Sequence, residues 1–153
     1  MKAVVQRVKN TLLSVDGKTV SEIPFGLTVF LGIKTGDTQK EADYIAKKIA
    51  NLRVFEDENG KMNKGLADVG GTMMVVSNFT LYADCSHGRR PDFFRAAKPD
   101  IAIPVYEHFL KEIRAREIPM ITGEFGADMA IDHVNDGPVT ILMDTDLMLK
   151  KGE

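Results

Sequence analysis

Two hydrophobic periods run along this chain, one of about two residues and one of about three and a half, and they divide it into strands and helices. Ala3 to Val8 alternates loosely in strand formers. Leu12 to Val20 reads as a hairpin turned on Asp16-Gly17, residue types that accept the positive φ of a two-residue turn. Leu27-Thr28-Val29-Phe30-Leu31-Gly32-Ile33 is apolar almost throughout and predicts a strand buried on both faces. A helix follows. Thr38-Gln39-Lys40-Glu41 has the spacing of a capping box, and Ala42, Ile45, Ala46, Ile49 and Leu52 then share one face.

Arg53-Val54-Phe55 predicts a short strand, closed by a turn through Asp57-Glu58-Asn59-Gly60, and Gly65 to Gly71 is irregular. Thr72 to Leu81 is the next strand, central in a sheet because Met73-Met74-Val75-Val76 has no polar side. Pro99-Asp100 opens a second helix that turns Val105, Tyr106, Phe109 and Ile113 inward, places Pro104 in or near its first turn, and ends at Pro119. Met120-Ile121-Thr122, Ala127 to Val134 and Val139 to Met143 read as three closing strands, the middle one alternating, and Lys150 to Glu153 as a frayed tail. The pattern predicts an α+β protein over residues 1–153, a single domain in which largely antiparallel sheet packs with two main helices.

Composition narrows the function. A net charge of −2 argues against a generic nucleic-acid coat while leaving room for a local basic patch. One cysteine excludes an internal disulfide and fits a reducing compartment; no stretch resembles a signal peptide or a membrane span. The expectation is a cytoplasmic protein.

The usual catalytic constellations are poorly supplied. Three histidines lack the paired spacing of a metal motif: His108 is expected at the surface, His133 half-buried with its polar atoms satisfied, and His87 in a solvated loop. Cys85 has no neighbouring base and is expected to be a small buried residue. No phosphate-binding glycine loop is present, so no cofactor and no metal are expected. Two stretches remain. Polar groups appear where the central strand ends, at Ser77-Asn78-Phe79-Thr80, and rigid strand ends suit ligand sites. Thr80 carries the one hydroxyl suggestive of a nucleophile, yet no base lies near it in sequence. Arg89 and Arg90 follow as a cluster that is either a solvated loop or a phosphate site. The second stretch is Asn135-Asp136-Gly137-Pro138-Val139-Thr140, which is either a hairpin corner or a rigid corner, with a cis peptide, presented to a ligand.

Together, Ser77-Asn78-Phe79-Thr80-Leu81-Tyr82-Ala83-Asp84 and Asn135-Asp136-Gly137-Pro138-Val139-Thr140 closely resemble the two signatures of the D-aminoacyl-tRNA deacylases. Ala3 to Val8, Asn51 to Asp57, Gly60 to Asn63, Gly88 to Pro91 and Thr122 to Met129 are similar to that family as well; the family usually has Gln where this chain has Asn78. The resemblance implies hydrolysis of D-aminoacyl-tRNA by a homodimer that needs no metal. It implies a pocket of Ser77, Asn78, Phe79 and Thr80 that the partner's Gly137-Pro138 corner enters; a rigid corner there would exclude L-amino acids by sterics and let glycyl-tRNA pass. It further implies that the ribose 2′-hydroxyl of the tRNA assists hydrolysis; Arg89 and Arg90, if a phosphate site, would then meet the tRNA backbone. DNA and membranes are not expected partners. Two other functions fit the residues: a Thr80-dependent esterase or amidase, and a non-catalytic RNA-binding module. Against the module, few exposed aromatics are expected beside the Arg89-Arg90 patch to stack bases.

Overall fold

A computed structural model describes residues 1–149; the expected tail at Lys150 to Glu153 lies outside them. The chain opens on a strand of 14 residues, β1 (Lys2–Val15), which turns on Asp16 (φ 52°) and Gly17 (φ 76°) into β2 (Lys18–Ile23). The expected hairpin is therefore present, but its first arm is continuous with the Ala3 to Val8 strand. Next come β3 (Gly26–Gly32) and α1 (Gln39–Ala50). Thr38 caps α1 through its side chain while Glu41 returns a contact to the Thr38 amide, which is the capping box read from the sequence. A two-stranded hairpin of β4 (Phe55–Glu56) and β5 (Met62–Lys64) turns at Gly60. The remaining elements are β6 (Thr72–Ser77), α2 (Pro99–Ala115), β7 (Met120–Thr122), β8 (Ala130–Asp144) and the short α3 (Thr145–Met148).

The main sheet runs β2-β1-β3-β6-β7, with β8 along the other edge of β1. It is mixed: β1 pairs antiparallel with β2, β3 and β8, whereas β3 with β6 and β6 with β7 are parallel. The α+β expectation holds, with a larger parallel share than the sequence implied. Leu27, Val29 and Leu31 of β3 and Met73 and Val75 of β6 face α1 and α2 in one core, which Ala42, Ile45, Ile49, Phe109 and Ile113 complete. Met74 and Val76 turn to the opposite face and join Val8, Leu13 and Ile23 in a smaller cluster. Both strands are thus covered on both sides, as their continuous apolar runs predicted.

Three expectations are corrected. The strand read as Thr72 to Leu81 stops at Ser77, and Phe79–Tyr82 is a turn of 3₁₀ helix. Pro104 lies inside α2, beyond the first turn, and its missing N–H leaves the Asp100 carbonyl without the usual helical donor. The last two strands are one: β8 runs unbroken from Ala130 to Asp144, so Asn135 to Pro138 is not a hairpin corner. Among the described residues no helix is long and apolar enough to cross a membrane.

The start of β1 is held by a buried charge. The Met1 ammonium lies 2.9 Å from both carboxylate oxygens of Asp37 and donates to Thr145 Oγ1 at 2.7 Å, with Met1 and Asp37 both buried. Such a pair is costly to break from one side, because the remaining charge stays buried. Asp37→Ala is expected to lower the unfolding free energy by about 3–5 kcal/mol, measured by urea denaturation; a loss below about 1 kcal/mol, the value of an exposed pair, would refute this account.

Candidate active site

At the C-terminal end of β6 the chain leaves the sheet. The Asn78 amide still donates to the Leu31 carbonyl at 2.8 Å, so the turn is pinned to β3 at its first residue. Tyr82 pins its other end: the ring is buried, with Lys2 Nζ 4.9 Å and the Arg95 guanidinium 5.5 Å from its centroid. Burial, reinforced by Asp37, Asp144 and Asp146, pushes the Tyr82 phenol well above its ordinary pKa, so it stays neutral under the turn. Gly32 makes the close approach possible. A Cβ there would stand 2.9 Å from Leu81 Cβ and 3.1 Å from the Asn78 carbonyl oxygen.

Held at both ends, the turn exposes Phe79 and Thr80 on the rim of a cavity of about 730 Å³. Ser77, Asn78, Phe79 and Thr80 all line it, so the structure brings these four expected residues together. Phe30, Val76 and Ile131 add apolar wall from the sheet, and Pro99 and Ala102 add the first turn of α2. The Phe79 ring meets Phe93 edge-on at a centroid distance of 5.2 Å. The far wall is Phe125 to Met129, with Phe125 stacked obliquely on Tyr106 at 5.4 Å. Ala127 to Met129 were expected to begin a strand; instead the segment turns through Gly126 (φ 80°), and the strand starts at Ala130.

The cavity is poor in proton-transfer groups. Thr80 Oγ1 donates to Asn78 Oδ1, so the shorter Asn78 side chain still reaches a partner inside the turn. An amide oxygen is too weak a base to activate a hydroxyl. Asp128 is the one titratable side chain among the lining residues, and no hydrogen bond joins it to Thr80 among the described residues. Asp43, His108 and Glu112 do bring three potential metal ligands within 4.8 Å of one another, a grouping the sequence did not foretell. They lie on the α1 and α2 surfaces and do not line the cavity; His108 Nε2 pairs with Asp43 at 2.6 Å, and Glu112 is shared with Arg116 at 3.1 Å. His108 is accordingly half-buried in that cluster rather than free at the surface.

The other expected residues lie elsewhere. Arg89 and Arg90 occupy an exposed loop closed by reciprocal amide–carbonyl bonds between Asp84 and Asp92, at 2.8 and 3.0 Å. Neither has an acidic partner among the described residues, whereas Arg95 is committed to Asp146 at 3.3 Å. Cys85, expected to be buried, is exposed in that loop. His133, expected to be satisfied, is not: its Nδ1 is buried without a partner, the ring lying edge-on to Phe30 at 6.0 Å.

Gly137-Pro138 is a cis peptide, exposed and outside the cavity of its own chain. It belongs to a bulge. β1 pairs Val8 with Asn135 and Gln6 with Thr140, so Arg7 alone stands opposite the four residues Asp136 to Val139. Arg7 fills the gap. Its Nε donates to the Asp136 carbonyl at 3.0 Å and its Nη1 to the Val54 carbonyl at 2.7 Å, and the side chain is only 9% exposed. Asn135 closes the bulge from within, donating from Nδ2 to the Val139 carbonyl at 3.1 Å and accepting the Val139 amide at 3.2 Å. Arg7 was not singled out by sequence; the available signal was a cation on the inward side of a strand that otherwise buries Ala3 and Val5.

Fold and cavity together define an α+β protein with an apolar, base-poor cleft at the end of a strand buried on both faces. Residues 4–144 match the model of the D-Tyr-tRNA(Tyr) deacylase family, and the chain belongs to that family. A protein of Bacillus cytotoxicus named D-aminoacyl-tRNA deacylase is 53% identical over 95% of this chain and 99% of its own length. One of the same name from Bacillus thuringiensis is 52% identical over the same shares. Among solved structures, one described as c-Myc DNA Unwinding Element Binding Protein superposes with a TM-score of 0.88 at 43% identity, covering 94% of this chain and 98% of the other. A structure described as a probable eukaryotic D-amino acid tRNA deacylase shares the fold, with a TM-score of 0.79 at 15% identity over 93% and 97% of the two chains.

Because Gly32 sets the distance between β3 and the Asn78–Tyr82 turn, Gly32→Val should displace the turn and destabilise the protein by about 1–3 kcal/mol. Gly65→Ala, whose new Cβ would come no closer than 3.5 Å to any neighbour, is the control and should change stability little. Chemical denaturation of both variants checks the pair.

Proposed function

We propose that this chain hydrolyses the ester joining a D-amino acid to the 3′ end of tRNA, releasing free tRNA and the amino acid. The observation that carries this reading is a family-defining fold whose cleft holds a hydroxyl and an amide at its rim but no base for the hydroxyl. Such a site suits a substrate that is already activated. An aminoacyl ester is labile, and orientation in an apolar cleft can supply much of the remaining acceleration. Water adds to the ester carbonyl carbon, the bond to the ribose oxygen breaks, and that oxygen leaves with a proton. The neighbouring ribose 2′-hydroxyl assists this transfer. Ser77, Asn78, Phe79 and Thr80 position the ester, and Thr80 acts as a positioning residue rather than a nucleophile.

Chirality is read by exclusion. D- and L-esters carry the same groups on the α-carbon, so a rigid obstacle where the L side chain projects discriminates better than hydrogen bonds to ester and amine. The Gly137-Pro138 bulge supplies that obstacle across a homodimer, entering the partner's cleft. In support, the bulge is exposed on β8, whose only strand partner among the described residues is β1, and is flanked by exposed Val134 and Leu142. Glycyl-tRNA, lacking a side chain to exclude, is hydrolysed too. Substitution of Gly137 is a poor test, since a Cβ there would lie 2.6 Å from the Val139 amide nitrogen of the same chain. Arg89 and Arg90, without an acidic partner among the described residues, contact tRNA phosphates.

The deciding experiment pairs D-tyrosyl-tRNA with L-tyrosyl-tRNA: hydrolysis of the D form alone is expected, and equal rates or binding without turnover would refute the reading. Thr80→Ala should keep a substantial part of the rate, whereas a terminal 2′-deoxyribose should remove most of it. A trapped acyl-Thr80, or a loss of several orders of magnitude in Thr80→Ala, would point to a Thr-dependent esterase instead. Replacing Arg89 and Arg90 together with Ala should raise KM and flatten its dependence on salt while leaving kcat and the D/L ratio nearly unchanged. An unaltered salt slope would show the loop to be merely solvated.

A further inference from the structure

We infer that Phe94 is a stacking platform for an unpaired base of the tRNA acceptor end, upstream of the nucleotide whose ester is cleaved; this rests on the function proposed above. Phe94 is 90% exposed, the most exposed large hydrophobic side chain among the described residues. A single exposed apolar residue is ordinary. This one stands at a place where three independent features meet.

The first is continuity with the cleft. A shallower depression of about 290 Å³ is built from Asp92, Phe93, Phe94, Ala96 and Lys98, and it shares Phe93 and Ala96 with the wall of the large cleft. A polymer whose last nucleotide lies in the cleft and whose chain leaves past Phe93 therefore passes directly over Phe94. The second is charge. Lys98 borders the depression without an acidic partner among the described residues, and Arg89 and Arg90 lie on the same connection between β6 and α2. The one carboxylate present, Asp92, accepts the Phe94 amide at 3.4 Å and so stays with the backbone. The third is that the ring is uncommitted. Phe79 and Phe93 pair with each other at the cleft rim, and Phe94 enters no aromatic pair among the described residues.

An exposed aromatic face flanked by cations is the arrangement that binds single-stranded nucleic acid through stacking, with little regard for base identity. That tolerance suits an enzyme that reads the amino acid and accepts tRNAs of many sequences. Few exposed aromatics lie near the basic loop, as expected, but Phe94, on the same connection, is one of them.

The test compares wild type, Phe94→Ala and Phe94→Trp on D-tyrosyl-tRNA and on 3′-O-D-tyrosyl-adenosine, which lacks every upstream nucleotide. Phe94→Ala should raise KM for the tRNA substrate about tenfold, the loss of one stacked base, with kcat nearly unchanged. Phe94→Trp should restore it, and the adenosine substrate should not distinguish the three proteins. Filter binding of uncharged tRNA reads the platform without turnover, and Phe94→Ala should weaken it by a similar factor. Equal Kd values for wild type and Phe94→Ala would overturn the proposal. So would an equal KM change on both substrates, which would make the ring a support of the cleft. A change in oligomeric state on gel filtration would overturn it too, since Phe94 would then be a subunit contact. Failure of the wild type to hydrolyse either D-substrate would count against the proposed function, with the binding comparison still deciding the platform.

Discussion

Strands β3 and β6 have no side that tolerates water, and the rest of the molecule is arranged to satisfy that constraint. Their alternate side chains enter two separate cores, so helices must cover one face and β-structure and loops the other. Cover on both faces leaves the strand ends as the places where polar groups can appear without a desolvation cost. The cleft forms at such an end, where β6 gives way to the Asn78–Tyr82 turn. The sheet fixes the turn through Leu31, and buried Tyr82 anchors it from below. Rigidity at the site is thus inherited from the core.

That inheritance shapes the chemistry. A cleft walled by Phe30, Val76 and Ile131 is mostly apolar, and at its rim the Thr80 hydroxyl and the Asn78 amide are already bonded to each other, with Asp128 the one titratable group in the lining. Such a site offers shape and orientation more readily than proton transfer. In the function proposed above, selectivity falls to sterics, and a backbone bulge, lacking side-chain rotamers, then has an advantage over a side chain.

Local rules carried much of the sequence reading. The Thr38 capping box, the Asp16-Gly17 turn and the apolar runs of β3 and β6 are each specified by residues within a few positions, and each is present. Errors arose where distant partners decide. Asn-Asp-Gly-Pro has the chemistry of a hairpin corner, but β1 is long enough to pair on both sides of it, so the strand resumes and the corner becomes a bulge. Ala127 to Met129 alternate like a strand, yet the chain pairs with β1 only from Ala130, and the preceding residues serve as cleft wall. Cys85 has the composition of a core residue but sits in a loop held by Asp84 and Asp92, which gives it nothing to pack against. Within the site, Ser77 to Thr80 were legible because polar residues interrupt a strand; Phe125 was not, because an aromatic's burial depends on what folds over it.

Arg7 has a wider effect than filling a gap in a sheet. One planar guanidinium holds the carbonyls of Val54, after α1, and Asp136, beside the cis peptide. These two segments lie 82 residues apart in sequence (136 − 54), yet each accepts from a different nitrogen of the same buried guanidinium. The segment leaving α1 and the bulge beside Gly137-Pro138 are thus tied to one side chain, and displacing either carbonyl would leave a buried N–H of that guanidinium unpaired.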